Sequence, residues 1–270
     1  MVVRPLRNLT IGHSAASAAE QWLEALETEL RDPGCDRYRL CRETLYQIYY
    51  PGRGSYNEAV ADSTLSPAAR SSLLALDPYN VTLEPEYYAE TDAEAYAKVK
   101  PLLWLWQSFD RSPLGGGNVD LGVRLRRILA KPIFKRCGEN FKCFQYVEFS
   151  FGYNMEVGDN VVVHRHVLLD DRGGIVLGNR VSIADYANVY SHTHDAVNQA
   201  DITDFVTVLE DGVRITYHAT ILAGVRVGTN AMLGAHAVAS RDLRAHWVHL
   251  GVPARPVRAK PNAPPDIREA

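Results

Sequence analysis

The chain has 270 residues, of which 46% are hydrophobic and 23% are charged, and its formal charge is −3. This composition is typical of folded globular proteins and excludes a disordered or collagen-like chain. The near balance of 29 basic and 32 acidic residues argues against the positive surface that general nucleic-acid binding requires.

The N-terminal segment has no apolar run long enough for a secretory signal, and no window approaches the length of a membrane span. We therefore expect a cytoplasmic protein. The cysteines form no C-x-x-C pair, so we expect reduced structural thiols. They are Cys35, Cys41, Cys137 and Cys143.

The first half of the chain predicts helices separated by turns. Ser17 and Glu20 form a capping-box pattern that should open the first helix, and Ser66 before Pro67 should open the third. Pro101 should kink or split the helix that contains it. The predicted helices span residues 17–33, 36–49, 66–76, 91–106 and 121–132.

The second half repeats with a period of six residues. From Leu209 to Leu233 every sixth residue is aliphatic, and a small or aliphatic residue follows each of them four places later. An earlier run from Val157 to Val189 keeps the same step, apart from a two-residue offset that begins at Asp171. Alternating strands would give a period of two. A period of six predicts a β-solenoid in which each coil takes three hexads and each aliphatic residue points inward.

Two segments interrupt the repeat and are more informative about function. The stretch from Ser191 to Thr207 must leave the solenoid as a loop, and it begins with His192 and His194 close together. The other is the C-terminal segment that contains Gly-Val-Pro-Ala-Arg at residues 251–255 and continues to Arg258.

Four features resemble the hexapeptide-repeat O-acetyltransferases of the maltose and galactoside acetyltransferase group. They are the segment 152–160, the distance from Asn160 to His194, the segment from Tyr190 to His194, and residues 251–255. The resemblance covers residues 125–260. It implies acetyl-CoA as a cosubstrate, no metal, and a homotrimer with its active sites between protomers.

The contrast between the two halves of the chain gives the expected domain limits, and the resemblance adds the handedness of the solenoid. We expect an α+β chain with a helical N-terminal region over residues 1–146. A left-handed parallel β-helix, which is a hexapeptide-repeat solenoid, should follow over residues 147–260, and a tail over residues 261–270. The helical region is longer than the family's usual N-terminal segment, and the resemblance assigns it no role.

Acetyl transfer to a hydroxyl needs a base, because an alcohol is a poor nucleophile at neutral pH, and histidine suits that pH. The resemblance implies that His194 is this base, with His192 as an alternate base or an acceptor-binding group. It implies an acceptor-binding carboxylate at Asp171, or at its neighbour Asp170. Tyr190 and His164 are the other acceptor candidates, although His164 stands where relatives carry asparagine.

A coenzyme A site should combine backbone groups along the pantetheine arm with cations at the phosphates. We expect the cations from Arg241, Arg255 and Arg258, and a solvated basic tail is the alternative interpretation of these residues. Arg214 and Ser240 replace the family's usual Trp and Thr. The remaining candidates along the arm are Ala223 and Ala235.

Two other functions stay open from the sequence. One is a γ-class carbonic anhydrase-like metalloenzyme, although His164-x-His166 and His192-x-His194 lack that class's wider spacing; the other is a non-catalytic scaffold. The acceptor, O- or N-acetylation and the acyl chain length are undetermined. The aromatic residues Tyr87, Tyr88, Tyr96 and 104–106 could line a carbohydrate surface, but core packing is the expected role.

Overall fold

The computed structural model describes residues 11–88, 91–115 and 117–268. It contains two compact units, Met1–Cys35 and Asp36–Ala270. In the first unit, helix α1 (His13–Arg31) buries Leu23 and Leu26. The helix begins before Ser17, whose hydroxyl accepts from Gln21 within the helix, so the predicted capping box is wrong.

The second unit opens with helices whose starts are set by side-chain caps. Asp36, Ser66 and Asp92 each accept a hydrogen bond from the backbone of the helix that follows. Helix α6 runs unbroken through Pro101, because Val99 and other residues on either side of the proline are buried and hold it in place. The helices are α2 (Arg37–Tyr49), α3 (Tyr56–Ala61), α4 (Pro67–Leu74), α5 (Glu84–Tyr87), α6 (Ala93–Arg111), α7 (Val119–Ile133) and the C-terminal α8 (Pro265–Arg268).

A buried ion pair joins α6, α7 and the start of the solenoid. Arg126 of α7 pairs with Asp110 of α6, and both side chains are almost completely buried. Arg126 also donates to the carbonyl of Cys143 at 3.1 Å, and Asp110 accepts from the backbone N–H of Tyr146 at 2.7 Å. Since an unpaired buried charge is strongly destabilising, this pair fixes the two helices on the first coil.

The chain then winds into coils that each contribute one short strand to three sheets. The first three coils contain β1 (Arg136–Cys137), β2 (Lys142–Cys143), β3 (Glu148–Phe149), β4 (Met155–Val157), β5 (Val162–Val163), β6 (Leu168–Asp170), β7 (Ile175–Leu177), β8 (Ser182–Ile183) and β9 (Asn188–Tyr190). After the hairpin β10 (His192–His194) and β11 (Ile202–Asp204) come β12 (Thr207–Leu209), β13 (Arg214–Ile215), β14 (Thr220–Ile221), β15 (Arg226–Val227), β16 (Met232–Leu233), β17 (Val238–Ala239), β18 (Trp247–Leu250) and β19 (Arg255–Ala259).

The sheets confirm the solenoid that the six-residue period predicts. Sheet A has the order β1-β4-β7-β12-β15, sheet B β2-β5-β8-β13-β16-β18-β19, and sheet C β3-β6-β9-β14-β17. All pairs are parallel except β18 with β19. The register places Val157 beside Leu177 and Ile183 beside Ile215, and these inward residues are fully buried.

The solenoid begins earlier than its aliphatic pattern. Cys137, Cys143 and Phe149 occupy the inward positions of the first coil, in register with aliphatic residues of the second. The boundary expected at residue 147 therefore lies within the first coil, where cysteine and phenylalanine conceal the hexads. Cys41, Cys137 and Cys143 are free thiols. Within the described residues, no helix is both long and apolar enough to cross a bilayer.

Two of the three corners are tight turns in which one residue per coil adopts a positive φ. Asn160 has a φ of 57°, and its N–H donates to the carbonyl of Glu139 in the preceding coil. The same bond recurs from coil to coil, so hydrogen bonds hold these corners as they hold the strands. One corner carries stacked rings with centroids 4.7 to 4.9 Å apart, those of Tyr146, His166, Tyr186, His218 and His236.

Each end of the solenoid is covered. Helix α7 lies against β1 and β2 at the first coil, where it buries Leu125 and Leu129 completely. At the last coil the chain reverses, and β19 pairs antiparallel with β18. The backbone N–H of Ala254 donates to the carbonyl of Val238, so the returning segment also covers the end of sheet C.

The third corner, between sheet C and sheet A, is longer in the first three coils, and we call it the wide corner. Asp171 is fully buried there and accepts from the N–H groups of Phe151 at 2.7 Å and Asn154 at 3.3 Å. Burial raises the pKa of Asp171 to about 6, because loss of water outweighs these backbone hydrogen bonds. The carboxylate therefore organises the turn at a cost in stability when it is ionised.

The raised pKa of Asp171 predicts a specific dependence of stability on pH. The folded protein holds this proton more tightly than the unfolded chain, so its stabilising contribution is complete below about pH 4 and disappears as the pH rises through about 6. The free energy of unfolding of the wild type, minus that of Asp171→Asn, should fall by about 2 kcal/mol between pH 4 and pH 7. Urea unfolding of both proteins across this range measures the difference, and a flat difference would contradict the assignment.

Candidate functional site

A hydrogen-bonded network at the wide corner links successive coils to the helical region. The Asp170 carboxylate accepts from the hydroxyl of Ser150 at 2.8 Å and from Nδ1 of His192. Arg172 Nη1 lies 3.2 Å from Nε2 of His192, and its Nη2 donates to Glu84 of α5 at 2.6 Å. Asp170, Arg172 and His192 are mostly buried, whereas Glu84 is exposed.

The hydrogen-bond partners of His192 determine its tautomer. A guanidinium can only donate, so Nε2 of His192 must accept a hydrogen bond from Arg172. Nδ1 of His192 then carries the proton and donates a hydrogen bond to the carboxylate of Asp170. The lone pair of the ring is therefore engaged by Arg172. In this arrangement His192 is oriented as a structural and binding group rather than as a base facing a substrate.

His194 is held differently. Its Nδ1 lies 2.8 Å from the carbonyl of Gln199, and because a carbonyl only accepts, Nδ1 carries the proton. Nε2 then has an open lone pair, with no protein partner within residues 11–88, 91–115 and 117–268. The ring is exposed and stands edge-on to His192, with centroids 5.2 Å apart.

The segment that leaves the solenoid is an ordered hairpin rather than an irregular loop. Strands β10 and β11 pair antiparallel, with His192 opposite Asp204 and His194 opposite Ile202. Asp195 begins the turn by accepting from the N–H groups of Val197 and Asn198, and these bonds lower its pKa. The pairing fixes both histidines at the mouth of the wide corner.

A cleft of about 450 Å³ lies between the helical region and the outward face of sheet C. Its solenoid wall includes Tyr190, Asp170 and His192, and its helical wall is formed by α5 and α6. Its volume is within the range of small-molecule sites. The other polar side chains of the lining are Glu84, Tyr96, Gln107, Arg111, Glu148, Ser150 and Arg172.

Tyr96 of α6 has an unusual place in this wall. Its side chain is 3% exposed, and within the described residues its hydroxyl has no hydrogen-bond partner. Burial, together with the nearby carboxylates Glu86 and Glu84, raises the pKa of Tyr96 well above its ordinary value. The phenol is therefore a neutral donor at the cleft, although packing was its expected role.

The acceptor candidates separate into two groups. Tyr190, Asp170 and His192 line the cleft, and His194 adjoins it. Asp171 is fully buried with its oxygens on backbone N–H groups, and its contact with the acceptor stays a prediction. Asp170 is the carboxylate that lines the cleft. His164 lies at a different corner, stacked on Phe144 at 4.8 Å.

A single chain does not gather the expected cofactor residues around one groove. Arg214 is exposed on sheet B, and Arg255 and Arg258 are exposed on β19 at the edge of that sheet. Ser240 and Arg241 follow β17 of sheet C. Ala223 lies between β14 and β15, and Ala235 between β16 and β17. The described residues bring together no group of three potential metal ligands from His, Cys, Asp and Glu.

Sequence reasoning missed Arg172, Glu84, Ser150 and the hydroxyl of Tyr96. Glu84 and Arg172 lie 88 positions apart, so no local pattern connects them. Ser150 could have been found by the coil register, because it lies 20 residues before Asp170 and directly beneath it. The register of the first coil was not recognised in the sequence, because cysteine and phenylalanine take the place of aliphatic residues at its inward positions.

Comparison with known proteins supports the family that the motifs suggest. No protein-family model matches the chain. Galactoside O-acetyltransferase from Escherichia coli strain K12 is 29% identical over 140 residues, which cover 50% of this chain and 69% of that protein.

Solved structures share the fold. A maltose O-acetyltransferase from Clostridium difficile 630 aligns with a TM-score of 0.54 at 22% identity, covering 62% of this chain and 87% of that one. A hexapeptide-repeat acetyltransferase from Vibrio cholerae, solved with acetyl-CoA, also aligns at 0.54 with 20% identity and covers 68% and 98%. Together with the solenoid, these structures show the left-handed β-helix fold of the hexapeptide-repeat acetyltransferases, and the relatives in sequence support membership of that family.

Proposed function

We propose that the protein is an acetyl-CoA-dependent O-acetyltransferase that acetylates a hydroxyl of a sugar or carbohydrate-like acceptor. The observation that carries this proposal is His194, whose Nδ1–H is held by the Gln199 carbonyl while Nε2 stays open beside the cleft. An imidazole fixed in this way is a base with a defined direction. The names of the relatives point to methyl β-galactoside and maltose as the first acceptors to test.

The reaction needs one base that later returns its proton. Nε2 of His194 removes the proton from the acceptor hydroxyl as its oxygen bonds to the thioester carbonyl carbon. The carbon–sulfur bond then breaks, and the imidazolium gives the proton to the departing thiolate. The products are the acetyl ester and free coenzyme A. The carbonyl of Gln199 supports the imidazolium because it accepts the hydrogen bond from Nδ1–H in both states.

The acceptor enters from the cleft, where Asp170 and Tyr190 offer hydrogen-bonding groups on the solenoid wall. His192 contributes by orientation and contact rather than as the base, because Arg172 occupies its Nε2. The carboxylate of Asp170 is kept in place by Ser150 and His192, so it is organised before an acceptor binds.

Acetyl-CoA binding draws on the exposed arginines near the C-terminus. Arg255 and Arg258 lie on β19 and Arg241 follows β17, and guanidinium groups suit the phosphates of coenzyme A. Arg255 and Arg258 lie at the edge of sheet B, whereas His194 leaves the solenoid at the corner between sheet C and sheet A. A homotrimer resolves this separation, because the cations of one protomer can serve the histidine of the next.

The surface of the solenoid supports self-association. The hairpin exposes Val197, Phe205 and Val206, and the last coil exposes Val252 and Val257. A contact between protomers would cover such exposed apolar side chains. We place these residues between protomers, with the hairpin reaching the neighbouring chain.

Acetyl-CoA binding and base catalysis should be separable by two substitutions. Arg258→Ala should weaken acetyl-CoA binding about fivefold to tenfold by calorimetric titration, because a charged hydrogen bond to phosphate is lost. Arg70→Ala, an exposed arginine on α4, is the matched control. Absence of acetyl-CoA binding by the wild type would refute the proposed function.

His194→Ala should bind acetyl-CoA as the wild type does but lose transfer to maltose or methyl β-galactoside by about 10² to 10⁴-fold. The release of free thiol measures the rate. His13→Ala, at an exposed histidine in the first unit, should behave as the wild type. Retained transfer in His194→Ala would assign the base elsewhere.

Shared active sites predict complementation between the two impaired chains. Mixed trimers of His194→Ala and Arg258→Ala chains should regain about a third of the wild-type rate at low acetyl-CoA, because one of the three interfaces in each mixed trimer joins an intact His194 to an intact Arg258. Differently tagged chains, co-expressed and purified through both tags, provide the sample. A rate no higher than the average of the separate variants would place both groups in one chain.

A further inference from the structure

We propose that Glu84 and Arg172 are positioning residues, through which the helical region fixes the ring of His192 and, by contact with that ring, the direction of His194. Neither Glu84 nor Arg172 needs to touch a substrate for this role. The inference rests on the proposed function and gives helix α5 a part in the reaction.

The guanidinium of Arg172 joins two elements that are far apart in the sequence. Its Nη2 donates to Glu84 of α5 at 2.6 Å, and its Nη1 lies 3.2 Å from Nε2 of His192 on β10. The side chain of Arg172 is only 12% exposed. A guanidinium presents its donors in a rigid planar fork, so holding one arm also sets the direction of the other. Glu84 therefore determines how Arg172 meets His192.

A second carboxylate lies close to the same guanidinium. Nε of Arg172 is 3.8 Å from Oδ1 of Asp170, which is beyond hydrogen-bonding distance. Asp170 instead accepts from the hydroxyl of Ser150 and from Nδ1–H of His192. By holding Arg172, Glu84 leaves Asp170 to His192. Both nitrogens of the imidazole then have a partner, and the ring is fixed in one tautomer and one orientation.

The backbone at the base of the hairpin is held independently of these side chains. The hydroxyl of Ser191 donates to the carbonyl of Asp170 at 2.6 Å and accepts from the N–H of Gly173 at 2.9 Å. The N–H of Phe205 donates to the carbonyl of Ser191 at 2.7 Å. Loss of the Arg172 side chain should therefore leave the hairpin attached to the solenoid, so a substitution there tests the orientation of the rings.

The ring of His192 supports the proposed base. The rings of His192 and His194 stand edge-on, with centroids 5.2 Å apart. The carbonyl of Gln199 holds Nδ1–H of His194, but one hydrogen bond leaves a ring free to turn about it. Contact with a fixed neighbour limits this turning. Since a base must point at the hydroxyl that it deprotonates, a less constrained His194 should lower kcat.

Nitrogen-15 NMR of histidine-labelled protein tests the positioning without any reaction. In the wild type, Nδ1 of His192 should be protonated and Nε2 unprotonated, and His192→Asn identifies these signals by removing them. In Arg172→Met the lone pair of Nε2 is no longer engaged, so we expect the signals to move toward those of a ring that exchanges between tautomers. Glu84→Gln should move them in the same direction.

The matched control for the NMR experiment is Arg226→Met. Arg226 pairs with Glu210 at 2.8 Å on another sheet of the solenoid, and its loss should leave the His192 signals unchanged. Wild-type signals in Arg172→Met would overturn the proposal.

The kinetic experiment asks whether Glu84 acts through Arg172. Glu84→Gln should lower kcat for maltose or methyl β-galactoside about twofold to fivefold and leave the Kd for acetyl-CoA unchanged. In the Arg172→Met background the same substitution should have no further effect, because the two residues act in series. Glu94→Gln, which breaks the exposed pair with Lys98 on α6, should leave kcat unchanged in both backgrounds.

The two experiments separate this inference from the proposed reaction. Additive losses of kcat in the double variant would show that Glu84 acts without Arg172, and a wild-type kcat in Glu84→Gln would show that it does not act at all; either result contradicts the proposal. If the wild type transfers no acetyl group, the proposed function fails, whereas the NMR signals still decide whether Glu84 and Arg172 fix His192.

Discussion

The structure depends on one geometric constraint: each coil must return an inward side chain to the same three sheets. Val157, Leu177 and Leu209 satisfy it in sheet A, although more chain separates the last two than the first two. Extra residues can therefore enter only where they leave this register intact. In this chain they enter at the wide corner. The turns there differ in length from coil to coil, whereas the strands on either side keep their register. The functional groups are positioned by this combination.

Two adjacent aspartates at the wide corner show how the constraint assigns different roles to identical side chains. Asp171 faces the interior and binds backbone N–H groups, whereas Asp170, at the end of β6, faces the cleft and His192. Alternation along an extended chain is sufficient to separate them. A motif match that is displaced by one position can therefore select the buried Asp171 instead of Asp170, which lies at the cleft.

The sequence predicted the parts of the molecule that repeat and missed the parts that depend on distant contacts. The hexads from Val157 onward gave the coil register, and the spacing from Asn160 to His194 singled out the histidine beside the cleft. The start of α4 was predicted correctly because its cap, Ser66, is local. The helix predicted to start at residue 91 instead starts after Asp92, whose side chain caps it. The Glu84–Arg172 pair joins the two regions through folding alone, and no periodicity reports it.

The covered ends of the solenoid have a consequence for its length. A bare prism would present rows of unpaired N–H and C=O groups at both ends, and another prism could continue each sheet in register. Helix α7 blocks this continuation at the first coil, and the antiparallel return of β19 blocks it at the last. The caps therefore act as terminators: they keep a repeat that could in principle grow without limit from polymerising end to end into a fibre.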